Sequence, residues 1–365
     1  MRGLRKLKSI LFITAFPPNQ KTAGQDYTRR LLDDLVQHGH SVSLVYASYP
    51  GHETEVDGRV KILSRIQPRL KNCLSHPRFH PFFTKRFSSE TLLLVQSCAA
   101  QFDMLYFDFS QVHLYALFVA HPYKVLMCHD VIAQKFSRKH SLHLPWVRNS
   151  ERMLLSSASK IITFSNKDCR FIRQTYGLDS VAVNFYLKNG HFSYSETNTD
   201  VREHTFCFYG AWNRSENAES LAWFLKKVLP NVPETLRFVV IGGGMNEKPK
   251  RKIASLPAVQ YIGFVKDPVA EIARCQALIA PLRRGAGVKV KVIDALSSGT
   301  SVIGTEVAFE GIEDNTTCRL FCKAERAEDF VKILGEWRSV SPADKQSADD
   351  EFFLRYNEGH FVDML

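Results

Sequence analysis

Pro281-Leu-Arg-Arg-Gly-Ala-Gly-Val-Lys-Val-Lys-Val-Ile-Asp-Ala-Leu-Ser-Ser-Gly299 sets two arginines, two glycines, two lysines and a carboxylate between an apolar run and a helical run. The apolar run before it, Ala277-Leu-Ile-Ala280, reads as a buried strand. The segment Val290–Leu296 reads as a helix that Gly299 ends. A glycine loop running into a helix N-terminus offers unpaired backbone N–H groups and the positive end of the helix dipole. Lys289 and Lys291 add full positive charges there, and Arg283 and Arg284 stand beside Gly285 and Gly287. That combination suits a diphosphate. Asp294, about one turn into the helix, can accept bonds from sugar or ribose hydroxyls. Solvated lysines after an ordinary turn would give the same string, so the rest of the chain must decide.

Outward from this stretch, strand patterns alternate with helix patterns, as in parallel sheets covered on both faces. Ile10–Thr14, Ser41–Tyr46, Phe102–Phe107, Lys124–Cys128 and Lys160–Phe164 read as strands, and Asp26–Gln37 and Asn166–Tyr176 as helices. A polar, turn-rich stretch between Lys188 and Glu203 reads as a linker. Beyond it Thr205–Tyr209, Arg237–Ile241, Val259–Ile262 and Ser301–Gly304 read as further strands. The expectation is an α/β protein of two doubly wound, Rossmann-like domains facing each other across a cleft. The first spans 1–190 and the second 204–345. A C-terminal segment, 346–365, crosses back to the first domain.

Composition agrees. At 365 residues, 45% of them hydrophobic, the chain fits two ordinary domains. No apolar run is long enough to span a membrane. The basic N-terminus leads into a short β-branched run and then Pro17-Pro18, which reads as a first strand and not a signal peptide. The eight cysteines are scattered; Cys318 and Cys322 find no second pair or histidine couple for zinc, so reduced thiols, a cytoplasmic protein and no bound metal are expected. The net charge of +11 is uneven: residues 1–100 hold 15 Lys/Arg against 7 Asp/Glu, a surplus of 8. Such a surface attracts anionic lipid or polysaccharide. Nucleic acid is not expected, since no nucleic-acid motif accompanies the charge. Residues 66–87 mix bases with aromatics, which suits an anionic membrane surface or a packed cover for the sheet.

Ligands of doubly wound sheets bind beyond the carboxyl ends of the strands, so the turns there hold the candidates. Gly24 ends a long loop after the first strand, with Asp26 as a helix cap in the alternative. His129-Asp130 follows the Val125–Cys128 strand; a histidine there can bond a sugar hydroxyl or take a proton. Gly210 opens the turn after Thr205–Tyr209, Asn217 or Ser215 caps the next helix, and Arg214 can reach a phosphate. Gly243 lies in the triple-glycine turn 242–244, Gly263 after the following strand, and Thr305 and Glu310 after Ser301–Gly304.

These residues in this order resemble retaining glycosyltransferases of the GT-B fold, the family-4-like group of bacterial enzymes. The match runs through Phe208-Tyr-Gly-Ala-Trp, Val240-Ile-Gly-Gly-Gly, Val259-Gln-Tyr-Ile-Gly-Phe, Ala280-Pro-Leu-Arg, Gly285-Ala-Gly-Val-Lys-Val-Lys-Val-Ile-Asp-Ala-Leu, Gly299-Thr-Ser-Val-Ile and Glu310-Gly-Ile. In the first half it rests on Ile10-Leu-Phe-Ile-Thr with Gly24, Gly39-His-Ser-Val, His129-Asp130 and Ala158–Ser165. The family often carries Glu-x7-Glu at the donor site; here those positions are Ala286 and Asp294.

The resemblance implies a nucleotide diphosphate sugar as donor substrate, no cofactor and no obligatory metal. It places Lys289, Lys291 and Arg283 or Arg284 on the diphosphate, Asp294 on ribose or sugar hydroxyls, and His129 near the reacting carbon. The acceptor would be a glycan or lipid-linked glycan, handled on the cytoplasmic side, at the inner face of the plasma membrane if the basic surface docks there. Cell-surface polysaccharide or lipopolysaccharide assembly is the implied setting. Two alternatives share the fold: a non-catalytic binder of nucleotide sugars or a partner, which Ala286 and Asp294 leave open, and a nucleotide-sugar epimerase, for which no acid and base carboxylates can be named.

Overall fold

The computed structural model describes residues 7–138, 140–186, 201–312, 320–357 and 359–365. The chain forms two compact units, Met1–Tyr186 with Glu358–Leu365, and Leu187–Asn357.

The first unit runs β1 (Ser9–Thr14), α1 (Ala23–Gln37), β2 (Ser41–Ala47), β3 (Lys61–Ile66), α2 (Pro81–Thr84), α3 (Ser89–Cys98), β4 (Met104–Asp108), α4 (His113–Phe118), β5 (Lys124–Cys128), α5 (Ile132–Arg138), α6 (Leu144–Leu155), β6 (Lys160–Thr163), α7 (Asn166–Tyr176) and β7 (Val181–Ala182). The strands pair in parallel in the order β3-β2-β1-β4-β5-β6-β7. β1, β4 and β5 are apolar and buried along almost their whole length because helices cover both faces. Strand order reverses between β1 and β4, whose last paired residues are Thr14 and Asp108. That reversal opens a crevice at the carboxyl edge. The chain's last residues belong to this unit: Phe361 is fully buried, 4.9 Å from the Tyr106 ring.

The second unit runs β8 (Thr205–Tyr209), α8 (Ser215–Lys227), β9 (Arg237–Ile241), α9 (Glu247–Ala254), β10 (Val259–Gly263), α10 (Pro268–Ala273), β11 (Ala277–Ala280), α11 (Val290–Leu296), β12 (Ser301–Gly304), β13 (Phe321–Lys323), α12 (Ala327–Gly335) and α13 (Pro342–Asn357). Its parallel sheet has the order β10-β9-β8-β11-β12-β13, reversing between β8 and β11. The turns after those two strands are 210–214 and 281–289, the ones that carry the sequence motif.

Some expectations need correction. The linker between Lys188 and Glu203 lies mostly outside the described residues. The helix expected to start near Asn217 starts at Ser215, with Arg214 as its uncapped first flank, so neither Ser215 nor Asn217 is the cap. Asp26 is not a cap either: Thr22 caps α1 by accepting from the Gln25 N–H. In the 66–87 stretch Phe79, Phe83 and Phe87 are core residues. Its aromatic half therefore packs into the core, while its bases Arg69, Lys71, Arg78 and Lys85 are exposed, as is Leu74.

Candidate functional site

In the second unit the turns after β8, β9 and β10 are laced together. Gly242 N–H donates to Gly263 O, Trp212 N–H to Gly243 O, and Gly210 N–H to Ile241 O. Gly242 has φ +113, and a Cβ on it would stand 2.0 Å from Gly210 O, so only glycine lets these turns pass. Behind them α8 presents Asn217, whose amide donates to Ala211 O and whose carbonyl accepts from Lys291 Nζ at 2.8 Å. Lys291 thus reaches across the strand reversal from α11 to α8 and lies against Gly210. Burial pushes its ammonium down to about 7, helped by the neighbouring charges of Lys289 and Arg214 and opposed by Glu216.

Lys289, at the start of α11, folds back on its own loop. Its Nζ donates to Ala286 O at 3.3 Å and to Gly287 O, and lies 3.5 Å from the Glu310 carboxylate. Gly285 packs against its stem. Asp294 is half-buried, three residues past Lys291 on the same helical face. The positive charge comes from the two lysines and Arg214, since a seven-residue α11 has only a weak dipole. A desolvated lysine at the edge of ionisation gains most from an anion placed beside it.

The other expected cations go elsewhere. Arg283 lies over the Trp223 ring, and Arg284 pairs with Glu219 at 3.2 Å, both on α8 and both exposed. Thr305 is buried; its hydroxyl donates to Leu282 O and accepts from Ala308 N–H, which ties two loops together.

In the first unit His129 sits at the strand reversal. Its Nε2–H donates to Asp108 Oδ1 at 2.7 Å. Asp108 is fully buried, and its other oxygen accepts from the hydroxyls of Thr14, at 3.0 Å, and Thr28, at 2.6 Å. A carboxylate only accepts, so this bond fixes the proton on Nε2 and leaves Nδ1 as an acceptor. The ring lies flat on Phe109, centroids 3.5 Å apart, and edge-on to Tyr27 and Phe164. Gly24 lies in the first turn of α1 and not in a loop; a Cβ there would come within 3.0 Å of Phe109 and 3.6 Å of His129 Nδ1. Its use is close approach to these rings.

Sequence reasoning paired His129 with its neighbour and missed Asp108 and Phe109, which lie about twenty residues earlier. Phe109 has φ 70, a strained conformation for a bulky residue, of the kind that gathers at functional sites. Glu151 was also missed. It is buried on α6, and its carboxylate accepts from Ile132 N–H at 2.7 Å, Ala133 N–H at 3.1 Å and the Tyr176 hydroxyl at 2.7 Å. It thereby fixes the turn that follows His129. Among the described residues no group of histidines, cysteines and carboxylates could hold a metal ion.

Comparison with known proteins finds a family for each unit. Residues 24–184 match the family model of glycosyltransferase family 4, and residues 203–337 match that of the glycosyl transferases group 1. No curated protein matches by sequence. Solved structures match over nearly the full length. Anabaena HepE in complex with UDP is 13% identical with TM-score 0.62, covering 95% of each chain. WaaG, a glycosyltransferase involved in lipopolysaccharide biosynthesis, is 13% identical with TM-score 0.62, covering 96% of this chain and 95% of its own. A variant of S. aureus TarM in complex with UDP is 11% identical with TM-score 0.69, covering 96% and 97%. At such identities the likeness establishes the fold, which is GT-B.

Proposed function

This chain is a group 1 glycosyltransferase of the family-4-like type, and on that premise we propose that it moves a sugar, with retention, from a nucleotide diphosphate sugar to a glycan or lipid-linked glycan acceptor. The observation that carries this is the half-buried Lys291, bonded to Asn217 beside Gly210 and backed by Lys289 at the β8–β11 reversal. The two lysines, with Arg214, receive the diphosphate. Their charge stabilises the leaving nucleotide as the bond to the sugar breaks, in place of a divalent cation. Asp294 holds ribose or sugar hydroxyls, and Glu310 steadies Lys289. Arg283 and Arg284 have no part in it.

His129 supplies an acceptor nitrogen to a sugar hydroxyl near the reacting carbon. The oxygen that deprotonates the incoming hydroxyl is the departing phosphate's own. Solved relatives carrying UDP support a uridine donor, and WaaG supports a setting in lipopolysaccharide or related surface-glycan assembly. The basic first unit suits handling of such an acceptor at the inner face of the plasma membrane. Incubation with UDP- and GDP-linked sugars and simple glycan acceptors, followed by proton NMR of the new anomeric signal, tests this. Transfer with retained configuration, undiminished by a chelator, is expected. Inverted product, or turnover that stops with the chelator, would overturn the mechanism.

A further inference from the structure

Arg86 stands at the carboxyl edge of the first sheet without a counter-charge. Its Nε–H donates to Ala15 O at 3.1 Å, just past the end of β1. Its guanidinium lies over the Phe16 ring, 4.7 Å from the centroid, and over the Tyr49 ring at 5.6 Å. Among the described residues no carboxylate comes within ion-pair distance of it. Beside it the Tyr49 hydroxyl is buried and faces the Arg86 guanidinium, and its own proton has no acceptor among the described residues. Phe16 packs edge-on against Phe109, 5.0 Å away, and Phe109 carries the His129 ring. Two aromatic rings, Phe16 and Phe109, therefore separate the cation from His129.

A mostly buried guanidinium is stable only when its donors find acceptors. Here one N–H is satisfied by backbone and the guanidinium also faces the Tyr49 oxygen, while the Tyr49 proton and the rest of the fork have no acceptor among the described residues. A planar fork and a hydroxyl match an oxyanion, bound in bidentate fashion with a third bond from the tyrosine. We propose that Arg86 and Tyr49 form an anion subsite in the first unit that takes a carboxylate or phosphate group on the acceptor. The inference rests on the transferase reading and deepens it: the acceptor is an anionic glycan or a phosphate-linked one.

The test uses the full chain carrying Lys289→Ala, Lys291→Ala and Arg214→Ala, so that the three cations placed on the donor diphosphate contribute nothing. Glucuronate and methyl phosphate are titrated into it separately by NMR. Saturable binding of glucuronate assigns a uronic-acid acceptor, and saturable binding of methyl phosphate a phosphate-linked one. Adding Arg86→Met, which keeps the stem on the rings, should weaken the bound probe about tenfold or more. Adding Tyr49→Phe, which keeps the ring and removes only the hydroxyl, should weaken it severalfold. Binding of neither probe, or binding unchanged by both substitutions, overturns the subsite. The donor reading is judged apart, on UDP binding by the wild-type chain.

Discussion

Asp108 shows how one residue sets the chemistry of another. Its carboxylate takes bonds from Thr14, Thr28 and His129, so the histidine proton is fixed on Nε2 and Nδ1 is left as an acceptor, the atom that the proposed mechanism turns toward a substrate hydroxyl. Asp108→Asn keeps the shape but turns a donor toward Nε2, which favours the opposite tautomer. The expected result is a fall in kcat of about 10²-fold or more with unchanged nucleotide binding. The ¹⁵N shifts of His129 should report the tautomer change; full kcat in this variant would show that Nδ1 accepts nothing of consequence. This pairing was not legible in the sequence, where Asp130 is the obvious neighbour. The carboxylate that matters arrives on β4, adjacent to β5 in the sheet but twenty-one residues away along the chain.

At the scale of elements, Glu151 links α6 to the start of α5. Burial pushes its carboxyl up to about 7, against the pull of Tyr176 and two backbone N–H groups. Between about 4.5 and about 7 the folded chain therefore binds more protons at this group than the unfolded chain does. Its contribution makes stability fall as pH rises through that window. Glu151→Gln should remove this part of the slope in urea unfolding followed at pH 5 and pH 7.5; an unchanged slope would place the effect elsewhere. Glu151→Ala strands three buried donors and should cost about 2–4 kcal/mol. Helix α5 escaped sequence reasoning because its stabilising acceptor is on a different helix. Strands β5, β9, β11 and β12 and helices α7 and α11 were legible to the residue, since apolar runs and flanking glycines suffice for them. The 66–87 stretch left two readings open because phenylalanines packed into a core read the same in sequence as phenylalanines exposed on a surface; Phe79, Phe83 and Phe87 are in the core.

At the scale of the whole molecule, the alternation of strands and helices and the ordered glycine turns revealed two doubly wound units and their family. They also single out Lys289, Lys291 and Asp294 for the proposed donor site, because the charge and the turn lie in one contiguous stretch. Arg283 and Arg284 belong to that stretch too, yet their partners on α8 draw them away. The account depends most on Lys291, whose ammonium is held down to about 7 mainly by burial. In the ligand-free chain it costs stability below pH 7, and that cost fades as pH rises from about 7 toward 10.5. A bound diphosphate favours the charged form, so binding must take up protons near and above pH 7 and tighten as pH falls from about 8.5 to about 6. A nucleotide sugar is the right probe because its diphosphate has no ionisation of its own in that range. The decisive measurement is calorimetric titration of UDP- and GDP-linked sugars across this range in buffers of different ionisation enthalpy, on wild type and on Lys291→Met. One donor class should bind with proton uptake, and Lys291→Met should lose both the uptake and most of the affinity while melting no lower than wild type without ligand. Equal affinity in the two chains, or no nucleotide sugar bound by either, would contradict the account.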